Sequence, residues 1–400
     1  MELSVTIQIG GIDVPVGILF THSKHGLESV SFAYDSQYLN NPKAFKISPD
    51  LPLTPGIQQA RSGAMFAAFS DTMPDRWGRN LLLREESYNA RLENRTSRTL
   101  LESDFLCGVS DIARQGALRF WHHDVAQAPL PTGVPREIAL PTLLSQADSF
   151  DSDTTINLKD LIEAGSSLGG ARPKASVRNE QNVLMIAKFP KAHETMTEDI
   201  CAWEQVALKL AHTCNIRVPA TRLVRIDKRA ILLLERFDRD NDRRIPYLSG
   251  LSAIQGVDGG FYSYLELAEF LEEEGSQPQA DIPELWRRIL FSCLIGNTDD
   301  HMRNHGFLWD TKGWRLSPAF DINPTPGNGQ KFLRNAIDLD DNSASVELVL
   351  KTCEYYRVSP SEAQKTLSHM KASIAHWQSV ARSCGISPAS IEYMRTCFEG

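Results

Sequence analysis

No apolar run in this 400-residue chain approaches the roughly 20 residues that a membrane-crossing helix needs, so no helical membrane span is expected. The first ten residues alternate polar and apolar side chains and carry no basic stretch, so they do not read as a secretion signal. The seven cysteines (Cys107, Cys201, Cys214, Cys293, Cys353, Cys384 and Cys397) are odd in number and never spaced C-x-x-C. That argues against a disulfide framework and against a zinc site, and fits a reducing cytoplasm. Basic charge is also short. Forty-two Lys and Arg stand against 50 Asp and Glu, a net charge of −8, which disfavours a whole-protein nucleic-acid binder while leaving room for a local basic patch.

Several motifs are missing as well. There is no G-x-x-x-x-G-K-[ST], so no Walker A loop, and no G-x-G-x-x-G, so neither a Rossmann fingerprint nor the usual protein-kinase glycine loop. The G-x-S-x-G nucleophile elbow is absent. His301 and His305 are four apart but lack the glutamate of H-E-x-x-H and a third ligand, so zinc is not expected there. No internal repeat is found.

What remains is an ordinary globular composition, 42% hydrophobic and 23% charged, in a chain long enough for two or three domains. Leu3, Val5, Ile7 and Ile9 alternate with polar residues, Gly10-Gly11 turns, and 14–20 returns, which predicts a hairpin. A helical pattern covers 65–86, interrupted at Met73-Pro74-Asp75, and 117–121 reads as a strand. Four prolines (Pro129, Pro131, Pro135, Pro141) make 122–155 read as linker or irregular surface. Strand-like runs follow at 174–177, 182–188, 220–226 and 230–234, with an amphipathic helix at 198–214 between the two pairs. Beyond 235 the chain reads mostly helical. Asp281-Ile282-Pro283-Glu284 predicts a capped helix start running to Ile295 and stopping at Gly296. Ser359-Pro360-Ser361-Glu362 repeats the signal, and Leu367, Met370, Ile374, Trp377 and Ala381 then form one packed stripe ending near Gly385.

The densest polar cluster is 295–306, at the end of an apolar helix. Asp299 and Asn304 are five apart, the spacing of the kinase catalytic loop H-R-D-x-x-x-x-N, whose Asp orients the attacking hydroxyl and whose Asn holds magnesium. Asp321, 22 residues after Asp299, stands where such enzymes place a second metal-binding Asp. Magnesium would neutralise nucleotide phosphates and takes oxygen ligands from one or two side chains. Lys188 ends an apolar strand where it could face those phosphates, with Glu204 on the following helix as its partner. The Gly/Ser stretch before it could wrap phosphates with backbone N–H groups and Lys174. Taken singly, each piece has a plain structural reading: capping Asp and Asn residues, a strand-end lysine with its head in water, a hairpin loop.

Taken in order, these segments resemble the HipA family, bacterial serine/threonine-protein kinases that act as toxins of type II toxin–antitoxin modules. The resemblance runs over nearly the whole chain. Phe66 to Asp75 looks like the family's F-x-x-x-x-D-x-x-P-D signature, and 102–106 through Gly116-Ala117-Leu118 resembles its next helix and "GA" strand. The kinase part adds 167–174, Ala187-Lys188-Phe189-Pro190, 234–239, 297–304 and 317–324. The resemblance implies an α+β fold of protein-kinase type: an N-terminal mixed α/β part that includes a small β-rich nucleotide lobe, and a mostly α-helical C-terminal lobe. The expected domains are 1–125, 126–235 and 236–400.

By matching position, the resemblance makes Asp299 the catalytic base, places His301 near the phosphates, and assigns magnesium to Asn304 and Asp321 and a phosphate contact to Lys188. Glu235 and Phe237 fall where the hinge touches adenine, and Phe320 where an aromatic ring stacks on it. Gly169, Gly170, Ala171, Arg172 and Lys174 match the phosphate loop, and Ser167 the residue that family members autophosphorylate, with Ser166 beside it. Two departures stand out. The loop reads G-G-A-R-P-K where the best-known form reads A-G-A-Q-E-K, and Asp300 replaces a glycine, its carboxylate expected to point to solvent. The implied cofactors are ATP and Mg²⁺. The implied partners are a protein substrate, an aminoacyl-tRNA synthetase among the family-level options, and a small helix-turn-helix antitoxin that carries operator DNA, with no membrane. A small-molecule phosphotransferase and a catalytically silent ATP-binding regulator are the competing readings.

Overall fold

The computed structural model describes residues 1–61, 64–122, 125–127, 133–150, 161, 164–165 and 172–399. The chain divides into two compact units, Met1–Ala192 with Asp238–Leu248, and His193–Phe237 with Ser249–Gly400. Both mix helices with antiparallel strands, the α+β class expected.

The first unit is built on a six-stranded sheet in the order Ile57–Gln59, Leu27–Tyr34, Ile12–Lys24, Glu2–Ile9, Leu118–His122, Val125–Ala126. The predicted hairpin closes at Gly10-Gly11, both at positive φ, with Ile9 opposite Ile12. That turn conformation costs a glycine nothing and most residues a good deal. Leu3, Val5 and Ile7 alternate inward and are buried, as are Phe32, Phe66, Phe69 and Phe120, whose rings pack edge to face at 5.3–6.4 Å. The short helix Ala67–Ser70 starts where Ser48 Oγ and Asp50 Oδ2 accept its first N–H groups. Helix Arg76–Leu92 follows, and its Trp77 indole donates to Lys174 O at 3.0 Å, pinning the hairpin of Lys174–Arg178 and Leu184–Lys188.

The stretch expected to be irregular contains a helix, Leu140–Ser149. Pro141 sits in its first turn, where a missing N–H is harmless, so this proline marks a start and not a loop. Leu140, Leu143, Leu144 and Ala147 are buried along one face.

The second unit carries helix Ile200–Thr213 and the hairpin Thr221–Ile226 with Arg229–Glu235. Its remaining helices include Tyr264–Glu274, Pro278–Ile295, Val346–Lys351 and Pro360–Ile374. The last begins with the predicted capping box of Ser359 and Glu362. Two expectations are corrected. The helix expected from Asp281 begins at Pro278, and Asp281 is not its cap: it is fully buried and accepts from Arg217, Arg315 and the Leu316 N–H. The stripe from Leu367 to Ala381 spans two helices, Pro360–Ile374 and Trp377–Ser383, because the chain turns at Ala375 and His376. Among the described residues no helix is long and apolar enough to cross a membrane.

Candidate functional site

In the second unit, helix Pro278–Ile295 ends at Gly296 in the left-handed conformation, φ +66°, as a helix C-terminus commonly does. The chain then enters the polar loop. Buried Asn297 joins two segments: its Nδ2 donates to Ser292 Oγ at 3.2 Å, and its Oδ1 accepts from Asn323 N at 3.2 Å. Thr325 N adds a bond to Gly296 O at 2.9 Å. The loop of Asp299 and Asn304 is thereby tied to the loop of Asp321, which Asn323 Nδ2 approaches at 3.3 Å. Asp321 itself is left-handed, φ +58°, unusual for a non-glycine residue outside turns and functional sites.

Within the first loop, Asp299 O accepts from His301 N at 3.0 Å and from Asn304 Nδ2 at 2.9 Å. The Asp299 carboxylate and His301 are exposed. Asn304 closes the turn Met302–Asn304, whose Arg303 forms two 2.8 Å bonds with Asp258. With Nδ2 engaged, Asn304 has its carbonyl oxygen left for a cation. The Asn304 carbonyl and the Asp321 carboxylate are both oxygen donors of the kind a hard divalent ion such as magnesium takes.

The approach to Asp321 is held by an ion network built on the buried carboxylates of Asp281 and Glu284. Asp281 accepts from Arg315 Nε at 2.6 Å and from Leu316 N at 3.1 Å, and Arg217 bridges Asp281 and Glu284, each at 2.8 Å. Arg288 donates to Ser317 O at 2.6 Å, and Ala319 N to Arg217 O at 2.7 Å. Phe320 then places its ring 5.4 Å from that of Phe237, tilted by 37°. Glu235 is exposed, its N–H bonded to Ala220 O.

Asp300 overturns the solvent-facing expectation. It is 6% exposed. The Tyr264 hydroxyl donates to its Oδ2 at 2.9 Å, His305 Nε2 lies 3.1 Å from Oδ1, and Asn335 Nδ2 donates to its backbone O at 2.6 Å. Burial alone pushes this carboxyl up; the His305 ring, the Tyr264 hydroxyl and His301 outweigh burial and hold it below the usual carboxylate range. Burial, reinforced by Asp300, raises the Tyr264 hydroxyl well above its ordinary value, so it stays a donor. The adjacent aspartates thus divide: one faces solvent, the other anchors the loop.

The other expected residues fall as follows. Lys174, which begins one strand, and Lys188, which ends its antiparallel partner, are buried directly across from each other in the first unit, and Arg172 is half-buried. Glu204 is buried in helix Ile200–Thr213 of the second unit. Ser166, Ser167, Gly169, Gly170 and Ala171 lie outside the described residues. Sequence reasoning missed Tyr264, Arg334 and Asn335, read Asp281 as a helix cap, and gave Asn297 no role of its own within 297–304. At Asp281, between Ala280 and Ile282, the available signal is a polar residue inside an apolar pattern.

A family model described as the HipA-like C-terminal domain matches residues 166–394, and one described as the HipA N-terminal domain matches residues 9–102. A protein of Haemophilus influenzae named "Putative kinase" is 25% identical over 205 residues, 44% of this chain. The chain spans 59% of the length of that relative. A second "Putative kinase", from Sinorhizobium fredii, is 24% identical over 402 residues, 92% of this chain and 83% of its own. Among solved structures, HipA of the Shewanella oneidensis MR-1 toxin–antitoxin system, in a complex with HipB and operator DNA, superposes with a TM-score of 0.67. It covers 99% of this chain and 96% of its own at 17% identity, a shared fold.

Proposed function

The chain belongs to the HipA family, and on that premise we propose that it transfers the γ-phosphoryl group of ATP to a serine or threonine hydroxyl of a protein. The observation that supports this most is the tie between the Asp299–Asn304 loop and the Asp321 loop through Asn297 and Asn323. It supports reading the exposed Asp299 carboxylate, Asn304 and Asp321 as parts of one site. Asp299 orients the acceptor hydroxyl and takes its hydrogen bond. Asn304 and Asp321 would hold magnesium, which would neutralise phosphate charge. Phe237 and Phe320 supply an aromatic face for adenine. Lys188, Lys174, Arg172, Glu204, Glu235, His301 and the segment 169–171 take their nucleotide roles from the family resemblance alone. Positioning and electrostatics account for most of the catalysis.

The same premise makes this protein the toxin of a toxin–antitoxin pair. It acts in the cytoplasm on a cellular protein, and its antitoxin, not the acidic toxin chain, makes the main contacts with operator DNA. Ser167 or Ser166 is the self-modification site. A phosphate there adds roughly −1.5 to −2 charges next to the phosphate loop and silences the enzyme.

The test is intact mass and site mapping after incubation with ATP and magnesium, alongside an Asp299→Ala control. One added phosphate on Ser166 or Ser167, absent in the control, is the expected result. An equal gain in Asp299→Ala removes Asp299 as base. No gain in the wild-type protein while ATP still binds points to a silent regulator or a small-molecule kinase.

A further inference from the structure

Arg334 lies 35 residues downstream of Asp299, and no local motif marks it. Its Nε donates to Asp299 Oδ1 at 3.2 Å, and among the described residues this is the one hydrogen bond made by the Asp299 side chain. An exposed ion pair is ordinarily incidental. Here both side chains are about two-thirds exposed (65% for Asp299, 69% for Arg334), and stability gains little from the contact.

The delivery of Arg334 is nevertheless built into the fold. Asn335, 3% exposed, donates Nδ2 to Asp300 O at 2.6 Å. On the other side, buried Leu333 exchanges bonds with Asn342: Leu333 N to Asn342 O at 2.8 Å, and Asn342 Nδ2 to Leu333 O at 2.7 Å. Ala336 N donates to Tyr262 O at 2.8 Å. Both neighbours of Arg334 are therefore fixed, and two consecutive residues, Arg334 and Asn335, grip two consecutive residues, Asp299 and Asp300.

We propose that Arg334 is a positioning residue for Asp299: its guanidinium holds Oδ1 and sets the carboxylate plane so that Oδ2 meets the acceptor hydroxyl, with Asn335 as the anchor that carries it there. This rests on the reading of Asp299 as the acceptor-orienting base. The physical need is plain. An exposed aspartate turns freely about its side-chain bonds, and a misplaced base loses much of its effect. The fold holds the Asp299 backbone through its carbonyl, and Arg334 fixes the part that the backbone bonds leave free.

The experiment compares wild type, Arg334→Ala and Arg334→Lys in steady-state phosphoryl transfer, with and without added guanidinium ion at a sub-denaturing concentration. The expected result for Arg334→Ala is a fall in kcat of roughly tenfold or more, KM for ATP within about twofold of wild type, and partial recovery with guanidinium. Arg334→Lys should recover less than free guanidinium does, because one ammonium does not reproduce the planar donor. A kcat within about twofold of wild type, a defect confined to KM, or no response to guanidinium overturns the proposal.

A second readout does not depend on activity. The Arg334 Nε–H resonance in ¹⁵N NMR should stand apart from those of the solvent-exposed arginines and should join them in Asp299→Ala. A resonance that ignores Asp299→Ala in an active enzyme removes the grip and leaves the kinase reading intact. A resonance that responds in a protein unable to transfer phosphate removes the kinase reading, and the positioning role with it.

Discussion

Replacing Asp300 by Ala should destabilise the second unit far more than an aspartate beside an exposed aspartate would suggest. In the wild-type chain the carboxylate accepts from Tyr264 at 2.9 Å, is approached by Ser292 Oγ at 3.4 Å, and lies 3.1 Å from His305. Tyr264, Ser292 and His305 are all buried, so water does not replace the lost acceptor. Breaking a buried pair by removing one partner costs about 3–5 kcal/mol. That is a large share of a net stability of about 5–15 kcal/mol. For a unit of roughly 200 residues, each kcal/mol moves Tm by about 2–4 °C, so the expected fall is about 6–20 °C. Asp300→Asn keeps an oxygen acceptor for the Tyr264 hydroxyl and loses the charge-assisted part, about 1.5–3 kcal/mol, so its Tm should fall about half as far. Differential scanning calorimetry at pH 7 on wild type and both variants reads this directly. If Asp300→Ala moved the transition by less than about 2 °C, the carboxylate would not be the buried acceptor described here, and the solvent-facing expectation would stand.

Asp281→Ala should cost about 1.5–3 kcal/mol, because Arg217 and Arg315 partly face water and can rehydrate; faster hydrogen exchange at Leu316 would report the loosened approach to Asp321, and unchanged exchange there would refute the link. Ser359→Ala removes the side-chain half of a capping box at a solvent-facing helix start and should lower stability by about 0.5–2 kcal/mol in chemical denaturation, with the proposed phosphoryl transfer untouched. Acid should find two weak points. Burial pushes Asp111 up but Arg119 and Arg244 hold it low, and burial pushes Glu284 up but Arg288 and Arg217 hold it low. Folded pKa values below the unfolded values of about 4 give stability that is complete above that pH and is lost as pH falls through the folded values. Thermal unfolding followed from pH 7 downward should therefore weaken below about pH 4, and Arg119→Gln should blunt the fall in the first unit.

The local elements were largely legible because their signals are local. The Gly10-Gly11 turn, the alternating first strand, the Gly296 stop and the Ser359–Glu362 cap each depend on residues within a few positions of one another. The misread elements share a different cause. Pro141 and Asp281 each carry a residue type with two meanings. Proline breaks a helix interior but suits a first turn, and aspartate caps a helix start but also anchors buried arginines. The choice between meanings is made by what packs against the residue, which spacing does not encode.

The Asp299-Asp300 doublet shows the same limit at the site itself. Spacing to Asn304 picks out the first aspartate, and nothing adjacent says what the second one does. Its role is set by Tyr264, Ser292, His305 and Asn335, which lie 36, 8, 5 and 35 residues away. A glycine at this position in the best-known form of the family would leave those partners without a carboxylate, so a chain carrying Asp300 needs donors that such a relative does not. His305, directly after Asn304, lies with Nε2 3.1 Å from the buried Asp300 carboxylate. Residue 300 and residue 305 should therefore be exchanged together or not at all, and the double variant Asp300→Gly with His305→Phe should recover stability that Asp300→Gly alone loses. Calorimetry of the two single variants and the double variant tests the pairing. Additive losses would show that the buried carboxylate and the imidazole contribute independently.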